Sequence, residues 1–387
     1  NNPSFNIKSF DRWGNYKNPL QNPGSTSGNI ITNAEYPYSI QDSVTAAVNA
    51  AAWTLDSVFL PSGGAIKVSY ESDEYAYVQN KRAMQLFKIY GLGKTATPGS
   101  ATNKLYSAGG DNLYVFISVP TAVTDAADVY KKYLSGIKKL YFKLFVKMPA
   151  DENGKGSEYV SCYADLDAGG YGVASSNIIW VRLSGISEKG DGAGGFSPLV
   201  KAGLQFLRLN LPSKAYPGSE TGDNLSLEDA VKVLHSMSGN IQSAFSSFDV
   251  DARSAGYAAE IDTSRTFVRL NSPVYRKLGG GHRVKKITIY DNWDKMTSQR
   301  AAVYGQEYTY TTVQPGGTQT ISSGVASYEP GIGGEENPFH EPIEYVEKIS
   351  ALGPVTLGYS EEPLGESFFP SAAVGYSKVR VRTINYK

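Results

Sequence analysis

"GGGHRVKKITIYDNWDKMTSQRAAVYGQEYTYTT" spans residues 279–312. Three glycines lead into one alternating run, a polar break follows, and a second alternating run is rich in tyrosine. Side chains of a strand alternate between its two faces. In the first run Val284, Thr288 and Tyr290 therefore oppose Lys285, Ile287 and Ile289. In the second, Tyr304, Gln306, Tyr308 and Tyr310 share one face. The stretch predicts two strands of a sheet. Gly279, Gly280 and Gly281 are read as letting the backbone turn tightly into the first strand, because glycine tolerates backbone angles that other residues avoid.

The same pattern recurs outward in both directions. "WTLDSVFLPSGGAIKVSYES" (53–72) predicts a hairpin around Pro61-Ser62-Gly63-Gly64, with Ile66, Val68 and Tyr70 on one face of its second strand. "KKLYFKLFVKM" (138–148) is the clearest strand: Leu140, Phe142, Leu144, Val146 and Met148 face one way. "EYVSCYADL" (158–166) and "NIIWVRLSGI" (177–186) continue as strands. Helices are predicted over 42–52, 125–134 and 198–209, the last with Pro198 suited to its first turn. A longer helix is predicted over 226–248, where Leu227, Val231, Leu234, Ser238, Ile241, Phe245 and Phe248 recur at helical spacing. The Gly/Ser/Thr-rich stretch 91–103 marks a boundary. The expectation is a mainly β protein with an inserted α+β domain. Residues 1–90 form a β-rich segment, 91–270 the insertion, and 271–387 a β-rich segment continuing a long antiparallel sheet of a shell-like or barrel-like assembly.

Composition narrows function. The 37 basic and 37 acidic residues cancel, which gives no reason to expect nucleic acid or an anionic membrane as partner. One cysteine, Cys162, excludes a disulfide within the chain. No apolar run approaches the roughly 20 residues of a membrane-spanning helix. The chain starts at Asn1, shows no signal peptide, and ends on the strand-like "AVGYSKVRVRTINYK" (373–387). It reads as a piece of something longer, whose open strand edges are met by adjoining polypeptide.

Chemistry-bearing residues do not converge. His235, His282 and His340 are too far apart in sequence for a metal motif. Cys162 shares the apolar phase of its strand with Val160 and Ala164, as a small hydrophobe would. "GSTSG" (24–28) puts Thr26 where a serine nucleophile would stand. "YGLGKTATPG" (90–99) ends a P-loop frame at Gly93-Lys94-Thr95, but Lys88 stands where that frame needs its first glycine. "DLDAGG" (165–170) and "DENGKG" (151–156) begin like calcium loops but do not complete one. Glu71, Asp73 and Glu74 beside tyrosines would suit a glycoside hydrolase. Among the aromatics Trp13, Tyr16, Trp180 and Trp293, flat rings could stack on sugar, and Trp180 and Trp293 are the ligand-binding candidates. No catalytic residue, cofactor or metal is assigned.

"FDRWGNYKNP" (10–19), "FLPSGGAIKVSYESDEYAYVQ" (59–79), "RKLGGGHRVKKITIYDNW" (276–293), "YGQEYTYTT" (304–312) and "SSGVASYEPGIGGEENPF" (322–339) resemble segments of very large exported proteins of Bacteroidota, similar to the Rhs/YD-repeat and SpvB-like families. The resemblance covers the two flanks, about half the chain. It implies a structural segment of a secreted or cell-surface protein, with adjoining segments of the parent polypeptide as partners and a cargo or toxin domain housed or displayed. The rival expectations are a carbohydrate-binding module and a glycoside hydrolase using the carboxylates near 71–74.

Overall fold

The computed structural model describes residues 2–149, 156–187, 193–215, 248–297, 302–331, 334–347, 355–361 and 372–386. The helix expected over 226–248 lies outside these residues except for Phe248, as do His235 and most of the "DENGKG" loop. The chain is mainly β, with several antiparallel sheets and a few helices. It divides into two compact units. Unit 1 holds residues 1–85, 271–340 and 363–387, and unit 2 holds 86–270 and 341–362.

In chain order, helix α1 (Ser43–Ala50) leads to strands β1 (Ser57–Phe59), β2 (Ala65–Tyr75), β3 (Met84–Gly93), β4 (Tyr114–Ser118), β5 (Lys139–Lys147), β6 (Ser157–Ser175) and β7 (Ile178–Leu183). Helices α2 (Pro198–Asn210) and α3 (Phe248–Ser254) precede β8 (Phe267–Asn271) and β9 (Lys277–Tyr290). Then come helix α4 (Trp293–Thr297) and strands β10 (Val303–Thr309), β11 (Pro342–Glu347), β12 (Thr356–Glu361) and β13 (Arg380–Tyr386).

Unit 1 is built on a five-stranded sheet in the order β1-β2-β9-β10-β13. The two runs of the opening stretch are β9 and β10, paired antiparallel from Lys286↔Glu307 to Tyr290↔Val303. The hairpin around residues 60–64 joins β1 to β2. The three glycines differ from the expectation. They do not turn into the strand but lie inside β9, where three residues face the single Asp73 of β2 between the pairs Leu278↔Glu74 and His282↔Ser72. All three have positive φ, from 109° to 144°. An extra pair of residues in one strand must bulge, and the bulge lets other side chains come close. A Cβ on Gly279 would sit 2.7 Å from Trp13 Nε1, and one on Gly280 2.5 Å from a Val374 methyl.

Unit 2 is a closed barrel in the order β6-β7-β4-β3-β8-β5. Its backbone seam is the nine-residue antiparallel pairing of β5 with β6, from Lys139↔Asp165 to Lys147↔Ser157. Leu140, Phe142, Leu144 and Val146 are wholly buried, because a closed barrel has no open edge and fills its inside with side chains. The "DLDAGG" stretch is part of β6. Helix α2 has Pro198 in its first turn and buries Leu199, Val200, Leu204 and Leu207 in the same core. The helix expected over 125–134 consists of a short α-helical turn, Ala126–Val129, widening into a π-turn, Tyr130–Leu134.

Candidate functional site

The carboxylates of β2 gather around one guanidinium. Arg283 of β9 donates from Nε to Glu71 at 2.8 Å, approaches Glu74 at 3.2 Å and donates to the Tyr376 hydroxyl at 3.0 Å. The Tyr376 hydroxyl in turn donates to Asp73 at 2.5 Å. Arg276 adds a second cation to Glu74. The Arg283 guanidinium also lies over the rings of Tyr310 and Tyr376, 4.2 and 5.1 Å from their centroids. Burial pushes the Asp73 carboxyl above its ordinary value, against the hydrogen bond from Tyr376. Register explains the gathering: Glu71 pairs directly with Arg283, and the glycine bulge beside Asp73 brings Val374 and its neighbours against the strand. Glu71 and Glu74 are thus held by arginine, in the manner of charge-assisted structural pairs.

A second constellation was not visible in the sequence. Arg12, Lys277, Glu329 and Glu336 have side chains no more than 2% exposed. Arg12 bridges Glu329 and Glu336, the latter at 3.0 Å. Lys277 bridges the same two carboxylates at 2.9 and 3.0 Å. The Tyr75 hydroxyl donates to Glu329 at 2.7 Å, and Lys277 also donates to the Met84 carbonyl at 2.5 Å. Burial alone would raise the Glu329 carboxyl, but the charges of Arg12 and Lys277 outweigh it and hold the group below its ordinary value. The Arg12 guanidinium lies beside the rings of Trp13 and Tyr38. Nearby, Lys17 donates to the carbonyls of Tyr36 and Tyr38, and its burial lowers the ammonium to about 7. Two cations and two anions removed from water hold together only when each is matched and hydrogen-bonded. Here the match joins four separate stretches of chain, those around residues 12, 75–84, 277 and 329–336.

The remaining candidates are dispersed. Trp180 lies on β7 in unit 2, half-buried, and a Cβ on Gly172 would sit 2.8 Å from its ring. Tyr114 packs against it with centroids 5.6 Å apart. Trp293 opens α4 in unit 1 and is 44% exposed. The two tryptophans belong to different units. Trp13 packs on Tyr75 and Tyr328, and Tyr16 on Trp53. His282 is exposed, edge-on to Tyr70 at 5.0 Å. His340 packs over Gly334, in the same loop that carries Glu336. Cys162 is buried, and burial pushes its thiol up to about 12, which leaves little thiolate for nucleophilic work. Among the described residues no group of three or more His, Cys, Asp or Glu is placed to hold a metal ion, and no helix is long and apolar enough to cross a membrane. No family model, curated protein or solved structure matches the chain.

Proposed function

We propose that this chain is a structural β-rich segment of a large exported or cell-surface protein, which works by extending a sheet through strand pairing with adjoining polypeptide. On this reading the assembly houses or displays a cargo domain, as the Rhs-like resemblance of the flanks implies. The observation that carries the proposal is the edge of the unit 1 sheet. β13 pairs along all seven of its residues with β10 and stands last in the sheet order, so among the described residues its other side has no strand partner. A row of backbone donors and acceptors on such an edge is a template for another strand.

The charged constellations support the same reading. Of the three carboxylates of the hydrolase alternative, Glu71 and Glu74 are engaged by Arg283 and Arg276 and Asp73 by the Tyr376 hydroxyl, and the buried four-charge network joins segments of the two flanks. Their role is to hold loops onto a sheet. Glu71→Gln tests this against the hydrolase reading. It should cost about 1 kcal/mol of stability, as one partly exposed charge-assisted bond is weakened, and wild type and variant should be equally inert towards a panel of glycosides. Turnover by wild type that the variant loses would overturn the structural reading.

A further inference from the structure

Unit 2 contains a cleft of about 400 Å³ between β6, helix α2 and the β11–β12 hairpin. That volume falls in the range of small-molecule sites. Its walls are Val160, Cys162 and Ala164 from the strand, Phe206 and Leu209 from the helix, and Leu357 from the hairpin. Several polar groups on the wall are engaged within the protein. Lys201 is paired with Asp249, Ser161 with the Tyr141 hydroxyl, and Asn210 with the Phe206 carbonyl. The Gln205 amide closes on the Leu357 backbone from both sides, donating to its carbonyl at 2.7 Å and accepting from its N–H at 2.8 Å. That clasp fixes the hairpin over the helix, and Arg208 adds a bond to Thr356 at 3.0 Å.

The wall offers a guest more apolar than polar surface. The rim carries charge: Lys139 sits between Asp165 at 2.8 Å and Glu344 at 2.9 Å, one cation against two anions. A carboxylate or phosphate guest would meet net negative charge there. Clefts with a predominance of apolar surface bind molecules with a large apolar part; by proportion to a cavity of roughly 150 Å³ that holds benzene, this one holds about sixteen heavy atoms.

We propose that this cleft binds an uncharged apolar molecule of that size, such as the chain of a neutral lipid. The site lies wholly within unit 2 and is independent of the strand-pairing role of unit 1. N-phenyl-1-naphthylamine, a neutral fluorescent probe of suitable size, tests it on the full chain. Saturable binding of one probe per chain is expected, displaced by 1-dodecanol, and dodecylammonium should displace it better than dodecanoate at pH 8. Ala202→Trp, which fills the cleft from helix α2, should weaken binding at least about tenfold, because an overfilled site excludes its guest. If that variant does not fold by circular dichroism, Leu209→Trp at the outer part of the same wall serves instead. Phe59→Ser removes a 78% exposed apolar side chain from unit 1 and should leave binding unchanged. Absent or non-saturable binding, binding indifferent to the cleft-filling variant, or binding lost with Phe59→Ser would overturn the proposal. Preference for dodecanoate would overturn the assignment of an uncharged guest.

Discussion

Lys277→Ala is expected to destabilise unit 1 by about 3–5 kcal/mol, the usual cost of breaking a buried ion pair from one side. Lys277 is wholly buried and touches both Glu329 and Glu336. Without it, two buried carboxylates are left facing the guanidinium of Arg12. Protonating one of them, or admitting water, relieves the imbalance, and each costs free energy at neutral pH. Glu336→Gln alone should also destabilise, but Lys277→Met combined with Glu336→Gln removes one charge of each sign and should recover part of the loss. A double-mutant cycle should therefore show coupling above about 1 kcal/mol. Urea unfolding followed by tryptophan emission reads this directly, since Trp13 lies beside Arg12 and packs on Tyr75. A loss under about 0.5 kcal/mol, the range of ordinary surface substitutions, would show that the network is not what holds these loops.

Phe142→Ala should cost unit 2 a comparable amount, about 3–5 kcal/mol, through lost burial and the cavity left behind. Phe142 is fully buried and faces Cys162 of β6 and Val268 of β8 across the ladders on its two sides. A barrel wall cannot collapse easily into such a void, because its strands are fixed by pairing on both sides. Trp180 is the one tryptophan within unit 2, so with the other three replaced by phenylalanine its emission should follow this loss separately. Val381→Ala, at a position 51% exposed on β13, should change stability by less than about 0.5 kcal/mol. Equal effects from the two substitutions would contradict the packing described for the barrel.

Much of this architecture was legible one strand at a time. The 138–148 run gave its apolar face correctly, and Leu140, Phe142, Leu144, Val146 and Met148 are all at most 3% exposed. On its opposite face Tyr141 and Lys143 are also buried. Tyrosine rings cover that side, with Tyr163 5.2 Å from Tyr141 and the Lys143 ammonium over Tyr159, and alternation carries no information about what lies on a second face. The glycine run was recognised as backbone freedom, but a bulge and a tight entry to a strand demand the same residue type. Only the register of β2 against β9 separates them.

The candidate sites were less legible, for a different reason. Arg12 and Glu329 lie 317 residues apart, and no local pattern links a charge to a partner at that distance. The available hint was context: Arg12 precedes Trp13, and Glu336 sits in a Gly- and Pro-dense loop with Phe339. Charges set among aromatics and turns in several segments are what a buried network looks like from sequence. Glu71, Asp73 and Glu74 were noticed, but their partners Arg276, Arg283 and Tyr376 come from two distant stretches, so an engaged cluster could not be told from a free one. Trp180 and Trp293 were linked only by residue type, and they fall in separate units.

The central proposal is that the open side of β13 receives a strand from adjoining polypeptide. Amide hydrogen exchange over residues 380–386, in this chain alone and within a longer polypeptide that contains it, addresses it most directly. The outward amides of the edge should exchange quickly in the isolated chain and become protected in the longer one, while those facing β10 are protected in both. Outward amides that exchange equally fast in the two settings would contradict the account.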